Sequence, residues 1–434
     1  MANRSVFITG VGPVSGLGLG LSDTWPRLMA GESALAPVQA FDARAMGATL
    51  GSEIPDDFKI RNFVPKTHRK ATKVMARDIE LAVSAADLAA RDAKLITCGT
   101  DATAEPSYPS DRIGCHIGAG LIAADLDELT SALAGSVDNQ GHFDLHHWGR
   151  EGMQGLTPLW LLKYLPNMLA CHVTIVHGAH GPSNTITCGE ASGGLSIGES
   201  LRIIQRGAAD LCFCGGAASN VNPMAFLRQV MTGRMYAGSD ASAVRPFDQS
   251  ACGGVTGEGG GIVALEEAAS FKARGGSDAY AKISGFGASQ TVHRETLNRT
   301  PDPAGRGIVS ACRAALREAN LNADAIDLVI PFGLGHPDWD NPEAAALHTL
   351  LGDRLNNVPV LATKALVGNL GAGSGGFDLT IAAQILKTQQ MPAIANRPTP
   401  LNGLGATTPD RLNTVLVCAT GTGGQNTAMV LEKL

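Results

Sequence analysis

GPSNTITCGEASGGLSIGESLRIIQRG, running from Gly181 to Gly207, is the stretch that decides the fold. It opens on Gly-Pro, and a β-compatible run from Asn184 to Cys188 follows. A turn of small residues comes next, Gly189-Glu190-Ala191-Ser192-Gly193-Gly194. Beyond it Leu195, Ile197, Leu201, Ile203 and Ile204 recur at roughly helical spacing. Strand, sharp turn and buried helix predict one side chain lifted to a helix N-terminus. That side chain is Glu190.

The chain around this turn has 434 residues, enough for one large domain or two fused halves. Its hydrophobic fraction of 44% predicts a sizeable core. A net charge of −6 does not suggest a nucleic-acid partner. No apolar run reaches about 18 residues, so no transmembrane helix is expected. The opening MANRSVFITGVG reads as a strand entering a glycine turn and lacks the apolar segment of a signal peptide, so a cytoplasmic location is expected. Nine dispersed cysteines argue against a disulfide framework. Cys212-Phe213-Cys214 places two sulfurs on one face of an apolar strand, and no second ligand pair follows at zinc spacing. His142, His146 and His147 lie in a polar, irregular stretch, 122–153, and read as surface residues. No metal and no cofactor are expected.

Ser5 to Gly12 and Arg112 to Leu121 read as buried strands running into glycines, and Ala208 to Gly216 as a central strand. The strand Leu211 to Gly215 is so apolar that, at a sheet edge, it would need covering. A dimer with the Ile203-to-Gly216 region near its interface is therefore expected. Lys66 to Lys73 is the most basic run and is expected to open a helix from Val74 to Arg91. It reads either as a solvated face or as a dock for an acidic partner. A second half begins near Ala269: a strand (Ala279 to Phe286), a helix (Gly307 to Asn320), a strand (Ile326 to Pro331) and a helix (Pro342 to Leu351). The alternation predicts an α/β fold with parallel-rich sheets covered by helices.

The elbow resembles the nucleophile turn of the β-ketoacyl-acyl-carrier-protein synthases, condensing enzymes of the thiolase superfamily, whose pattern is GPS-x-x-x-x-T-A-C-[TAS]-S-G. Other stretches carry the same resemblance. They are ITGVGPVSGLG with TWPRLMAGESAL, RIGCHIGAGL, LPNMLACHV, Arg245-Pro246-Phe247-Asp248 and GEGGGIVALE from Gly257 to Glu266. The resemblance spans essentially the whole chain. It implies the thiolase fold, two similar βα halves (1–268 and 269–434) in an α-β-α-β-α layering. It also implies an acyl carrier protein as partner, docked at Lys66, Arg69 and Lys70, and a dimer with itself or with an active ketosynthase.

The same alignment implies that the chemistry is altered. The family's Cys falls on Glu190, and Cys188 lies two residues early. The family's two histidines fall on Phe332 and Asn369, while Lys364 is kept. Two threonines of the pantetheine channel become Leu334 and His336, and both gating phenylalanines become threonine, Thr420 and Thr422. Between Asp248 and Gly257 the family's Arg-Asp-Gly-Phe is replaced by Ala251-Cys252-Gly253-Gly254. Condensation needs a thiolate to accept the acyl group and imidazoles to assist decarboxylation and hold the enolate oxygen. The resemblance is therefore strongest to chain-length factors, non-condensing partners of active synthases in fatty-acid or polyketide pathways. Their elbow carries Gln where this chain has Glu190. Two alternatives stay open: altered acyl-thioester chemistry, such as decarboxylation or hydrolysis by Glu190 with His336, and an atypical synthase using Cys188. Glu190 itself reads as a plug, stabilised by the helix N-terminus and by hydrogen bonds from Lys364 and Asn369.

Overall fold

The computed structural model describes residues 4–297, 299–401, 404–405 and 409–434. Nine strands carry the architecture: β1 (Val6–Ser15), β2 (Ile113–Gly118), β3 (Ser183–Ile186), β4 (Leu211–Ser219), β5 (Thr256–Glu267), β6 (Ala281–Gln290), β7 (Leu328–Ile330), β8 (Thr414–Thr420) and β9 (Gln425–Glu432). Their hydrogen-bonded order is β7-β8-β9-β6-β1-β5-β4-β2-β3. The join between β6 and β1 is only two residue pairs, Phe7 with Lys282 and Ile8 with Ala281. The order therefore divides into two sheets that touch at one corner.

Helices fill the space around and between them. Helix α1 (Arg77–Asp92) packs on β1, β5 and β4 from outside, and α5 (Arg306–Ala319) packs on β6, β9 and β8. Between these two helices in sequence come α2 (Met168–His177), α3 (Ser192–Gln205) and α4 (Pro223–Met231). Two more helices follow, α6 (Pro337–Leu351) and α7 (Ser374–Thr388). Helix α3 touches β4, β2 and β3 of one sheet and β9 and β6 of the other, and α7 likewise touches strands of both. The layering is thus α-β-α-β-α, the thiolase arrangement. The order strand, outer helix, strand, central helix, then two antiparallel strands occurs twice along the chain, although no sequence repeat marks it.

Side-chain alternation explains why both faces of each sheet are covered. On β4, Cys212 and Cys214 enter the central core while Leu211 and Phe213 join the outer one. On β5, Val263 and Leu265 point in, Ile262 and Ala264 out. On β8, Val415 and Val417 point in, Leu416 and Cys418 out. This period of two on strands buried on both faces gives the near-continuous apolar runs seen in the sequence. The central helices carry small residues so that two sheets can close on them. An added Cβ on Gly193 would lie 2.8 Å from the Ala372 carbonyl oxygen, and one on Gly376 would lie 2.1 Å from that of Gly261.

Four expectations need correction. The sheets are mixed rather than parallel-rich: β1·β5, β4·β5, β8·β9 and β9·β6 are antiparallel. The reason at β8–β9 is a tight hairpin through Gly421 and Gly424, which only antiparallel strands accept. The apolar strand β4 is not an edge, because β2 and β5 pair with it on both sides; the edge is the partly exposed β3. The basic run does not open a helix. Lys66–His68 and Ala71–Val74 form two 3-10 turns, Met75 and Ala76 turn extended, and α1 starts afresh at Arg77. The stretch 122–153 is not irregular either, since helices Leu126–Ala134 and Leu145–Arg150 sit there, N-capped by the side chains of Asp125 and Asp144.

The crowding at the central helices gives a direct test. Gly376→Ala forces a Cβ into backbone and is expected to destabilise the protein by about 2–4 kcal/mol or to prevent folding. Gly149→Ala, where a Cβ meets nothing within 4 Å, is expected to be neutral or slightly stabilising. Thermal melts of the two variants against the parent decide it.

Candidate active site

The elbow forms as the local sequence demands. Strand β3 ends at Ile186, and Gly189 takes φ +57°, a left-handed conformation that suits glycine. Ser192 ties the turn: its Oγ accepts the Cys188 N–H at 2.8 Å and donates to the Gly189 carbonyl at 2.6 Å. Glu190 sits at the turn's apex, buried, just before the first residue of α3.

Its carboxylate is fully engaged. Oε1 accepts from Arg234 Nη2 in a buried ion pair and from Asn369 Nδ2 at 3.3 Å, and Oε2 accepts the Thr422 N–H at 3.2 Å. Burial alone would raise the pKa of this acid. The Arg234 charge and the backbone amides of Glu190 and Thr422 outweigh it and hold the carboxyl below its ordinary value. Arg234 is held on every side. It also donates to Gln229 Oε1 at 3.0 Å and to Thr422 Oγ1 at 3.2 Å, and its guanidinium lies 4.9 Å from the Trp339 ring centroid.

The aromatic rings carry the contact onward. Trp339 packs on Phe332 with centroids 5.6 Å apart, and the Lys364 ammonium lies 4.8 Å from the other ring's centroid. Lys364 in turn pairs with Asp378 at 2.9 Å, deep in α7. Burial raises the Asp378 pKa, with Lys364 and Thr363 opposing. The Phe332 loop is pinned from below by α6. Glu343 accepts the N–H groups of Phe332 (2.7 Å) and Gly333 (2.9 Å), and Asp340 accepts those of Phe247 (2.8 Å) and Gly335 (3.1 Å). Burial pushes both acids up to about 7.

The structure therefore brings Glu190 and Asn369 into contact and joins Phe332 and Lys364 to them through Trp339 and Arg234. Lys364 does not bond to Glu190 as expected, because Asp378 is its nearer buried partner. His336 is placed differently: its Nδ1 accepts the Asp338 N–H at 3.2 Å and caps α6. Among the described residues no hydrogen bond joins His336 to Glu190. Cys188 is partly buried, and that burial raises its thiol pKa, the opposite of nucleophile activation. Lys66, Arg69 and Lys70 are exposed on their 3-10 turns and do not line the cleft over Glu190.

That cleft measures about 240 Å³ and is bordered by Leu121, Asn220, Arg228, Gln229, Thr232 and Thr422 along with Glu190 and Arg234. A larger hollow of about 480 Å³, bounded by Phe41, Arg77, Lys163 and Tyr164, shares Asp78 with it. Of the altered positions, Glu190 and Thr422 border the smaller one and none borders the larger. Arg234, Trp339 and Asp378 were not legible as site residues. The one available signal was that a buried carboxylate needs a cation, and the sequence does not say which. Among the described residues no cluster of three His, Cys, Asp or Glu is placed to hold a metal, and no helix is long and apolar enough to cross a membrane.

Comparison with known proteins agrees with this geometry. Residues 3–270 match the model of the beta-ketoacyl synthase N-terminal domain, and 280–397 that of its C-terminal domain. The chain is 32% identical to the actinorhodin polyketide beta-ketoacyl synthase 2 of Streptomyces coelicolor, over 99% of this chain and 98% of that one. It is 30% identical to a 3-oxoacyl-[acyl-carrier-protein] synthase 2 of Synechocystis, over 92% and 90%. Two solved structures share the fold across the whole chain or nearly so. The ishigamide ketosynthase/chain length factor superposes with TM-score 0.83 at 24% identity, covering 100% of both chains. A beta-ketoacyl synthase from Burkholderia phymatum gives TM-score 0.83 at 24%, covering 99% and 100%. With the elbow, the two-sheet layering and both domain models in agreement, this chain belongs to the beta-ketoacyl synthase family.

Proposed function

We propose that this chain is a non-condensing subunit of the chain-length-factor type, acting in fatty-acid or polyketide biosynthesis beside an active β-ketoacyl synthase. The observation that carries the reading is the buried Glu190–Arg234 pair at the position of the family's nucleophile. A carboxylate held as an anion by a guanidinium, an amide and a backbone N–H is a weak acyl acceptor and a weak base. The two imidazole positions offer no replacement. Phe332 presents a ring face to Lys364, and the Asn369 amide is spent on Glu190 while its Oδ1 accepts from Gly371 and Ser374. His336, the base of the altered-chemistry reading, is committed to capping α6.

The partner surface is proposed from the exposed edge of the sheet. Strand β3 leaves one side unpaired among the described residues, and Ile175 of α2, which packs beside it, is 53% exposed. Leu121, at the end of the loop after β2, is 73% exposed. An unpaired edge flanked by apolar side chains calls for a covering chain. A second subunit, identical or an active synthase, is the proposed cover. The acyl carrier protein is proposed to dock at Lys66, Arg69 and Lys70, and the whole assembly is placed in the cytoplasm.

Five measurements test this. Intact-mass analysis after exposure to acyl-carrier protein or acyl-coenzyme A is expected to show no adduct on the wild-type chain. Glu190→Cys is expected to gain at most acylation and no condensation, since Phe332 and Asn369 still lack imidazole chemistry. Unaided decarboxylation of malonyl-carrier protein by the wild type, lost in Glu190→Gln, would replace the reading with the altered-enzyme one. Sedimentation at micromolar concentration is expected to give a dimer, and Ile175→Asp is expected to weaken it at least about tenfold; a stable wild-type monomer would count against the partner surface. Charge reversal at Arg69 and Lys70 is expected to weaken carrier binding to the assembled complex at low salt. The difference should vanish at high salt, because exposed charges are screened over about 8–10 Å.

A further inference from the structure

The proposed function leaves open why the elbow carries an acid and not a neutral filler. Arg234 supplies the reason. Glu190, Arg234 and Thr422 all border the 240 Å³ cleft, yet Glu190 is 4% and Arg234 6% exposed. A reacting thioester carbon would have to come within about 3–3.5 Å of the side chain at position 190. That shell is already occupied by Arg234 Nη2, Asn369 Nδ2 and the Thr422 N–H.

The guanidinium does not lose its proton, so its burial requires a counter-charge. Gln229 and Thr422 are neutral acceptors, and the Trp339 face offers only a partial charge. Among the described residues Glu190 is the one carboxylate in ion-pair contact with Arg234. The same carboxylate accepts the Thr422 N–H, and Arg234 Nη1 donates to the Thr422 hydroxyl oxygen, so both ends of the pair hold the turn between β8 and β9.

We propose that Arg234 is a specificity-determining residue that acts by exclusion: drawn inward by Glu190, it shuts the elbow against acyl thioesters and clamps the 420–424 turn in place. This deepens the non-condensing reading and rests on it. With Glu190 neutralised, the guanidinium is left buried without a counter-charge, and the adjoining cleft is its way out to water. Thr422 then loses the Arg234 donor to its hydroxyl, and its N–H is left with at most one neutral amide oxygen at 190.

The test uses the full-length chain without substrate, as wild type, Glu190→Gln, Arg234→Gln and the double variant, followed by hydrogen exchange and thermal melting. Glu190→Gln is expected to speed exchange across residues 420–424 at least tenfold. Each single change is expected to lower Tm by about 3–5 °C, the size expected for an unpaired buried charge in a chain this long. The double variant, with no charge left to bury, is expected to lose no more than the worse single. Additive losses with unchanged exchange at 420–424 overturn the clamp. Should Glu190→Gln fail to fold, recovery in the double variant supports the clamp. Should the double fail as well, Glu190→Asp takes its place, and wild-type exchange at 420–424 in that shorter acid overturns it. For exclusion the probe is S-acetylpantetheine, which is expected to protect 420–424 in the double variant and not in the wild type. Equal protection in both, or none in either, overturns exclusion. Acylation of the wild-type chain would sink the non-condensing reading, whereas the exchange and melting results stand apart from it because no acyl donor is present.

Discussion

Two helices share the space between two sheets, and that constraint governs the rest of the molecule. Helices α3 and α7 each touch strands of both sheets, so most of each helix is buried, and in α3 only a narrow stripe through Leu195, Glu199, Arg202 and Gln205 reaches water. The faces turned to the sheets carry apolar or small residues, and here they must be thin as well. Gly193 and Gly194 in one helix meet Ala372, Thr427 and Gly375 at distances that leave no room for a Cβ. The elbow is the N-terminal end of that packed helix. Its position is therefore set by the core, and whatever side chain stands at 190 is delivered to the same place.

A fixed delivery point lets one scaffold present different side chains at the same place. Replacing the family's Cys with Glu190 puts a charge where α3 begins, and the helix N-terminus alone favours it by only about 0.3–1 kcal/mol. Taking a carboxylate out of water is far more expensive, several kcal/mol even after relaxation. Arg234 supplies the missing term, and Asn369 and the Thr422 amide satisfy the remaining lone pairs. The guanidinium then needs its own surroundings, which Gln229 and Trp339 provide. Trp339 leans on Phe332, and Phe332 lies against Lys364, whose partner Asp378 sits in the other central helix. The side chain at the elbow is thus tied into a run of contacts that reaches from α3 to α7.

The sequence showed the frame of this site better than its wiring. The elbow, the placement of Glu190 before a buried helix and the match of Phe332 and Asn369 to the site were all legible, because glycines and small residues at fixed offsets have one geometric use. Strand pairing was less so. Leu211 to Gly215 reads equally as an edge awaiting cover or as an interior strand, since apolarity reports burial and not which neighbour supplies it. The helices at 126–134 and 145–150 escaped because they are short and polar, and their caps, Asp125 and Asp144, look like ordinary loop acids. Arg234 escaped for a different reason: ion-pair partners 44 residues apart have no local signature. Lys364 was assigned to Glu190 by chemistry alone, and Asp378, 14 residues on along the same chain segment, had the better geometry.

The direction of the pKa shifts separates filling a site from working in one. A general base or acid is tuned toward neutrality by burial and like charges. Glu190 goes the other way, held below its ordinary value by Arg234 and two backbone amides, so its anion is the resting state and has no drive to take a proton. Burial lifts Asp78, which borders the cleft and accepts the Ser219 N–H, to about 7. Asp340 and Glu343, lifted likewise, each accept backbone N–H groups of the 331–336 loop. They are scaffold. Asp340 and Glu343 hold the 331–336 loop, while the carboxylate at the elbow is held as an anion. A carboxylate held in that way keeps the shape of the elbow, because packing of the central helix fixes its position whatever chemistry the site performs.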